Sequence, residues 1–315
     1  MALLIIGGQR TGLFAEEVRR LAPDQDIRIW PDVGRVEDIR YALAWLPPRG
    51  ALKSIPNLEL IVSVGAGVDH LFLDPELPDV PVVRYVDPDL TGRMVEYIAL
   101  QVLFHQRRMS EFAEMQRAKI WKYVPEPAAH EVRVGIMGLG VMGQASAKAL
   151  QAFGYPLRGW SRSQKSVPGV QCFWGTDGLD AFLAETDILA CVLPHTPETE
   201  GILNRGLMAK LSLSGRHPRF PGPVIINAGR GALQVEADIL DALQRGALYA
   251  ASLDVFQTEP LPQSSPLWDH RRVVITPHNA AESTPEAIVR YMLRQWARHR
   301  RGEALDNIVD RARGY

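Results

Sequence analysis

Three glycines, at 138, 140 and 143, follow the apolar run Val132–Met137 directly and precede a helical pattern directly. No other feature restricts the fold of this chain as much. The first glycine permits a tight turn, the second lets a ligand approach the backbone, and the third lets the helix pack closely on the strand. The open N–H groups and the dipole of the helix start favour an anion. The segment Gly138, Leu139, Gly140, Val141, Met142, Gly143 is therefore read as a loop for a dinucleotide pyrophosphate, its strand–turn–helix context separating it from a packing turn.

The following strand indicates which dinucleotide. NAD sites usually carry an acidic residue at its end, where the ribose hydroxyls bind. Here the chain reads Gly159-Trp160-Ser161-Arg162-Ser163-Gln164-Lys165. The acid is missing, and Ser161, Arg162, Ser163 and Lys165 offer hydroxyls and positive charge to a 2′-phosphate. NADP (as NADPH) is the expected cofactor, with NAD as the alternative.

Around this loop, short apolar runs alternate with helical patterns, which predicts an α/β chain with parallel sheets. Strands are expected at Leu3–Ile6, Ile27–Trp30, Tyr41–Trp45 and Leu60–Val64, and in a second series at Val132–Met137, Pro156–Trp160, Ile188–Leu193, Val224–Asn227, Ala250–Asp254 and Val273–Thr276. One strongly helical stretch is expected from Gly92 to about Ile120, with Val95, Ile98, Ala99, Val102 and Leu103 on its apolar face, and a last helix from Pro285 to Arg300. A length of 315 residues exceeds what one core usually serves, so two domains are expected.

Composition narrows the function classes. A net charge of -1 gives no whole-protein field for gathering nucleic acid or an anionic membrane. No run approaches the roughly 20 apolar residues of a membrane helix, and the N-terminus lacks a basic region ahead of its short apolar stretch. The two cysteines, Cys172 and Cys191, have neither metal-ligand nor CxxC spacing, so no metal site is expected and a reducing cytoplasm suits them. The chain is expected to be a soluble, cytoplasmic protein.

Ligands of open α/β sheets bind beyond the carboxyl ends of the strands. In this chain those ends lead to Leu193-Pro194-His195-Thr196, Ala228-Gly229-Arg230, Asp254 with Glu259 shortly after, and Pro277-His278-Asn279. Each residue alone has an ordinary explanation as a loop or cap residue. Together they suit one reaction, reduction of a 2-oxo acid, which needs hydride at the carbonyl carbon and a proton at its oxygen. A histidine is the natural acid near neutral pH, a carboxylate on its other nitrogen orients the ring and favours the imidazolium, and an arginine grips a substrate carboxylate. His278, Glu259 and Arg230 fit these roles, and His195 is expected to line its loop.

These motifs, with Gly65-Ala-Gly-Val-Asp69, Trp160-Ser-Arg-Ser163, Leu193-Pro-His-Thr-Pro-Glu-Thr199, Asn227-Ala-Gly-Arg-Gly231, Leu253-Asp-Val-Phe256, Glu259-Pro260, Thr276-Pro-His278 and the tail Val309-Asp-Arg-Ala-Arg-Gly-Tyr315, resemble the D-isomer-specific 2-hydroxyacid dehydrogenase superfamily over nearly the whole chain. Within it the tail resembles the glyoxylate/hydroxypyruvate reductase A subgroup. The resemblance implies two Rossmann-like domains: an NAD(P)-binding domain at 92–279, inserted in a flavodoxin-like substrate domain made of 1–91 and 280–315. It implies an NADPH-preferring reductase converting glyoxylate to glycolate and hydroxypyruvate to D-glycerate. It places Arg230 on the substrate carboxylate, His278 as proton donor, Glu259 as its support and Asp254 near the nicotinamide carboxamide.

By the same resemblance, Leu193, Pro194, Thr196, Ala228 and Gly229 line the cofactor. Val64, Gly65, Ala66 and Gly67 offer backbone N–H groups to substrate, with Trp45 walling the pocket. A homodimer through the 92–120 helix is implied as well. Two departures stand out: a longer connection at 211–223, read as a surface loop, and a polar Asn279 where many members carry a small apolar residue. An NADH-dependent enzyme for another 2-oxo acid, and a dinucleotide-sensing interaction protein on the same fold, are the alternatives at this point.

Overall fold

A computed structural model describes residues 1–315. In chain order the elements are β1 (Ala2–Ile6), α1 (Thr11–Leu21), β2 (Asp26–Ile29), β3 (Ile39–Ala44), β4 (Leu60–Ser63), α2 (Asp69–Phe72), β5 (Val82–Val83), α3 (Pro88–Gln106) and α4 (Met109–Arg117). Then come β6 (Val134–Met137), α5 (Val141–Gln151), β7 (Leu157–Ser161), β8 (Val170–Trp174), α6 (Gly175–Ala184), β9 (Ile188–Cys191), α7 (Arg205–Met208), β10 (Val224–Asn227), α8 (Glu236–Gln244), β11 (Ala250–Leu253), β12 (Val273–Ile275) and α9 (Pro285–Arg300). They form two compact units, one of Met1–Leu90 with Glu282–Tyr315, the other of Thr91–Ala281.

The first unit holds a parallel sheet in the order β2-β1-β3-β4-β5. This is the flavodoxin-like order, whose switch point falls between β1 and β3. Ala2 to Ile6 are all buried because helices cover both faces of a parallel sheet. The outer edge of β5 is closed by the returning tail: Val83 bridges Ile308 and the Val309 N–H donates to Val82 O at 2.8 Å.

The second unit holds a parallel sheet in the order β12-β11-β10-β9-β6-β7-β8. Counted from β6, this is the doubly wound dinucleotide-binding order with one further strand, and its switch point lies between β6 and β9. The register puts Trp160, Met137, Cys191, Asn227, Leu253 and Ile275 on one row. The cofactor and catalytic loops singled out in the sequence of this unit leave the sheet at or just beyond that row.

Three expectations change. The 92–120 stretch is two helices, broken where Arg108 takes φ +54 and its guanidinium clamps Glu111 through two bonds of 2.9 and 2.7 Å. The strands β5 and β8 were not foreseen: one has two residues beyond a proline, the other is a half-exposed edge without clean alternation. The 211–223 connection is only partly a surface loop. Its ends are buried, with Phe220 in the core and Ser212 donating to Asp187 Oδ1 at 2.5 Å, while Leu213 to Arg216 face solvent.

Candidate active site

In the second unit the glycine loop has the form its spacing predicts. Gly138 takes φ +110, and a Cβ there would press on Val192 at 3.1 Å. A Cβ on Gly143 would lie 1.9 Å from Gly138 O, so helix and turn meet backbone to backbone. Gly140 differs, because nothing lies within 4 Å of its would-be Cβ and it faces solvent. Helix α5 begins there with no side-chain cap and no acidic residue in its first turn. Its first N–H groups therefore meet open space beside a bare backbone, a cradle that fits a dinucleotide pyrophosphate.

Neighbouring loops complete this rim. A Cβ on Gly229 would lie 2.7 Å from Leu193 O, so the loops after β9 and β10 touch. Leu193 in turn packs beside Gly138. The Ala228 N–H donates to Cys191 O at 3.1 Å. Thr199 Oγ1 donates to Pro194 O at 2.8 Å, and Thr196 Oγ1 donates to Glu198 Oε2 at 2.7 Å. Ser161 Oγ, at the end of β7, donates to Ser163 O at 2.8 Å. Arg162, Ser163 and Lys165 lie on the surface there, and the charge of Arg162 reaches Glu198. The Thr196 hydrogen bond chiefly holds that carboxyl below its ordinary range, and Arg162 adds to it. His195 sits in the same loop, 3.9 Å from Glu200, as a lining residue.

The sheet brings Glu259 and His278 together. His278 Nδ1 and Glu259 Oε2 are 2.7 Å apart, and the Phe256 N–H donates to Glu259 Oε1 at 3.0 Å. Burial by itself would push the Glu259 carboxyl up. The bonds from His278 and Phe256, with the charges of His278 and Arg230, outweigh burial and hold it below its ordinary range. His278 Nε2 makes no hydrogen bond, and 38% of the side chain is exposed, so this nitrogen is available to a ligand.

His278 has φ +53, an unusual backbone for a non-glycine residue. Asp254 imposes it. Its backbone oxygen accepts from the His278 N–H at 2.8 Å. Its carboxylate accepts from Thr276 Oγ1 at 2.6 Å, from Asn279 N at 3.0 Å and from Ala280 N at 3.0 Å. Tyr97 of α3 reaches the same cluster, its hydroxyl 2.9 Å from Thr276 Oγ1. Arg230 follows β10, half-buried, and its Nη1 donates to Gly229 O at 2.8 Å.

Sequence reasoning passed over the residues beneath these groups: Asn227, Gln234, Thr276 and Tyr97. Their signal was weak because Asn227 and Gln234 work through backbone atoms and through each other, and Thr276 and Tyr97 through one hydroxyl each.

In the first unit, Trp45 and the Val64–Gly67 loop are neighbours at the carboxyl end of the sheet. A Cβ on Gly65 would lie 2.9 Å from the Trp45 ring, so only glycine lets the loop lie flat on the indole. Trp45 also meets His70, ring centres 4.4 Å apart. Ser63 Oγ accepts from Gly65 N at 3.3 Å, and Tyr85 N donates to Gly65 O at 3.2 Å.

Comparison with known proteins agrees with this geometry. The family described as "D-isomer specific 2-hydroxyacid dehydrogenase, NAD binding domain" matches residues 99–280. Among solved structures, the NADPH-dependent glyoxylate/hydroxypyruvate reductase of Sinorhizobium meliloti, in complex with NADP and sulfate, is 40% identical with TM-score 0.93, covering 100% of this chain and 99% of its own. A probable 2-hydroxyacid dehydrogenase of Rhizobium etli CFN 42, with NADP, HEPES and L(+)-tartaric acid, is 42% identical with TM-score 0.93 and the same coverage. A D-isomer specific 2-hydroxyacid dehydrogenase of Xanthobacter autotrophicus Py2, with NADPH and MES, is 39% identical with TM-score 0.92, again over 100% and 99%. The chain belongs to the D-isomer specific 2-hydroxyacid dehydrogenase family and is an NAD(P)-dependent enzyme of that family.

Proposed function

We propose that the protein is an NADPH-preferring reductase of small 2-oxo acids, converting glyoxylate to glycolate and hydroxypyruvate to D-glycerate. The observation that carries this reading is the Glu259–His278 pair, which leaves one imidazole nitrogen facing outward on the strand row that also bears Arg230. The S. meliloti relative, which carries this activity in its name, supports the choice of substrate.

The second unit would serve as the cofactor domain (92–279) and the first as the substrate domain (1–91 and 280–315). NADPH would lie along Gly138–Gly143, with its 2′-phosphate at Ser161, Arg162, Ser163 and Lys165, flanked by Leu193, Pro194, Thr196, Ala228, Gly229 and Asp254. Bound there, the dihydronicotinamide supplies the hydride. Arg230 holds the substrate carboxylate and draws electron density from the neighbouring carbonyl. His278 donates the Nε2 proton to the carbonyl oxygen, and Glu259 stabilises the imidazolium before that transfer. Trp45 and the N–H groups of Val64–Gly67 would contact the substrate and favour a small acid.

The protein would act as a cytoplasmic homodimer. Leu100, Met109, Ile120, Trp121 and Tyr123, all exposed along and beyond α3 and α4, would be the surface covered in the dimer. No helix is long and apolar enough to cross a membrane.

The test is absorbance loss of NADPH and of NADH with glyoxylate, hydroxypyruvate and pyruvate in parallel. Fast oxidation of NADPH by the first two acids is the expected result. Equal or faster oxidation of NADH would overturn the cofactor preference. No oxidation with any pair, in folded enzyme that binds cofactor, would overturn the substrate assignment.

A further inference from the structure

Asn227 and Gln234 are completely buried, yet both are amides in the middle of an apolar cluster. Such groups persist in a core only when their partners are specific, because an unpaired buried amide is costly. Asn227 Oδ1 accepts from Gly229 N at 3.0 Å, and its Nδ2 donates to Arg230 O at 3.0 Å, so the turn bearing Arg230 is wound around this side chain. The same Nδ2 donates to Gln234 Oε1 at 2.8 Å.

Gln234 Nε2 then donates to Val255 O at 2.9 Å, in the segment that follows β11. The next residue along, Phe256, supplies the N–H that fixes Glu259. The two segments are also in backbone contact, since a Cβ on Gly231 would lie 1.8 Å from Phe256 O. Gln234 is thus the only side chain bonded both to the amide inside the Arg230 turn and to the segment that positions Glu259.

We propose that Gln234 is a positioning residue that locks the Arg230 turn to the Glu259 segment, so that the carboxylate grip and the proton donor keep one mutual geometry. This rests on the roles given above to Arg230 and His278. Displacements on the order of 1 Å between such groups cost about a hundredfold in rate, so a single internal strut here controls turnover without touching substrate.

The experiment compares the wild-type enzyme with Gln234→Met, which keeps the volume and removes the amide's bonds to Asn227 and Val255, with the longer one of 3.5 Å to Glu236 Oε1. For the variant we expect kcat/KM for glyoxylate to fall about ten- to a hundredfold, with the alkaline limb of kcat moved to lower pH. The affinity for NADPH, read by its fluorescence, should stay within about twofold, since the glycine loop is untouched. Oxalate, a planar dicarboxylate with no reducible carbonyl, should bind the enzyme–NADPH complex about tenfold more weakly. Gln234→Glu keeps the acceptor for Asn227 and loses the donor to Val255; it should show an intermediate loss, and it carries the same measurements if the Met variant does not fold. A lowered melting temperature with unchanged kcat/KM, pH profile and oxalate affinity would make Gln234 a packing residue and overturn the proposal. Wild-type enzyme inert towards glyoxylate and hydroxypyruvate would overturn the functional reading, and the oxalate ratio would still decide the role of Gln234.

Discussion

Glu259 reaches His278 Nδ1 with one carboxylate oxygen at 2.7 Å while the Phe256 N–H pins the other. The ring is therefore held in one orientation with Nε2 outward. Glu259→Gln keeps the shape and removes the charge that favours the imidazolium. Turnover in the reduction direction should drop by about a hundredfold, with NADPH binding unchanged. Steady-state rates beside cofactor titration check this, and near-normal kcat would remove Glu259 from the mechanism.

The same pair sets a pH dependence. The Glu259 carboxyl is held below its ordinary range, so its contribution is present above the ordinary carboxylate value and is lost only as pH falls through the depressed one. The carboxylate hence stays charged in mild acid and keeps its bond to His278 there. Reduction should persist in mildly acidic buffer and decline into alkali. A kcat that climbs steadily with alkaline pH would contradict proton donation by His278.

Arg162 stands just after β7, beside Ser161, Ser163 and Lys165. Arg162→Ala should raise the KM for NADPH by about ten- to a hundredfold, the worth of a charge-assisted bond to phosphate, and barely change NADH kinetics. Parallel initial rates with both cofactors read this directly. Equal loss with both would locate Arg162 elsewhere in the mechanism.

Deep under the sheet, His105 Nε2 lies 2.7 Å from Ser252 Oγ, which donates to Gln101 Oε1 at 2.7 Å. Burial pushes the imidazole down from 6.5 to about 4. The unfolded chain takes up its proton first, so stability is full above about 6.5 and is lost as pH falls towards 4, by on the order of 3 kcal/mol. Thermal melts between neutral and acid pH should show this loss, and His105→Gln should flatten it. An identical acid profile in the variant would exclude His105 as its source.

At the opposite end of the strands, Arg133 and Asp187 form a double bond pair of 2.6 and 2.9 Å, with Asp187 only 1% exposed. Asp187→Ala strands a buried guanidinium and the Ser212 hydroxyl. It should destabilise the second unit by about 3–5 kcal/mol in chemical denaturation. Turnover below the transition should hold, because this pair lies at the amino ends of β6 and β9, away from the site.

The legibility of these features follows their physics. Residues such as Gly138 and His278 could be found because each closely follows a strand, and apolar runs mark strand ends well; Gly143, in the first turn of α5, follows from its spacing to Gly138. The row from Trp160 to Ile275 was implicit in those runs. Gln234 was hidden because its closest partners are one backbone oxygen, 21 residues away, and another amide, and no residue type announces such a bond. The break at Arg108 was hidden too. Arginine has no intrinsic preference for the left-handed region, so a side-chain clamp on Glu111, and not glycine or proline, ends α3 there. Strand β8 failed for a third reason: its half-exposed edge does not need the apolar alternation that the other strands require.

The closing of the β5 edge by Val309 bears on the order in which the chain can mature. Residues 91–281 are contiguous and can collapse on their own as they leave the ribosome. The sheet that precedes them must wait, because α9 and the strip at 307–309 are synthesised after them. Until then β5 presents unpaired peptide groups, the kind of edge that invites pairing with another nascent chain. The sheet begun ahead of the second unit is thus completed only after it, once the strip at 307–309 has been made and can seal the open edge.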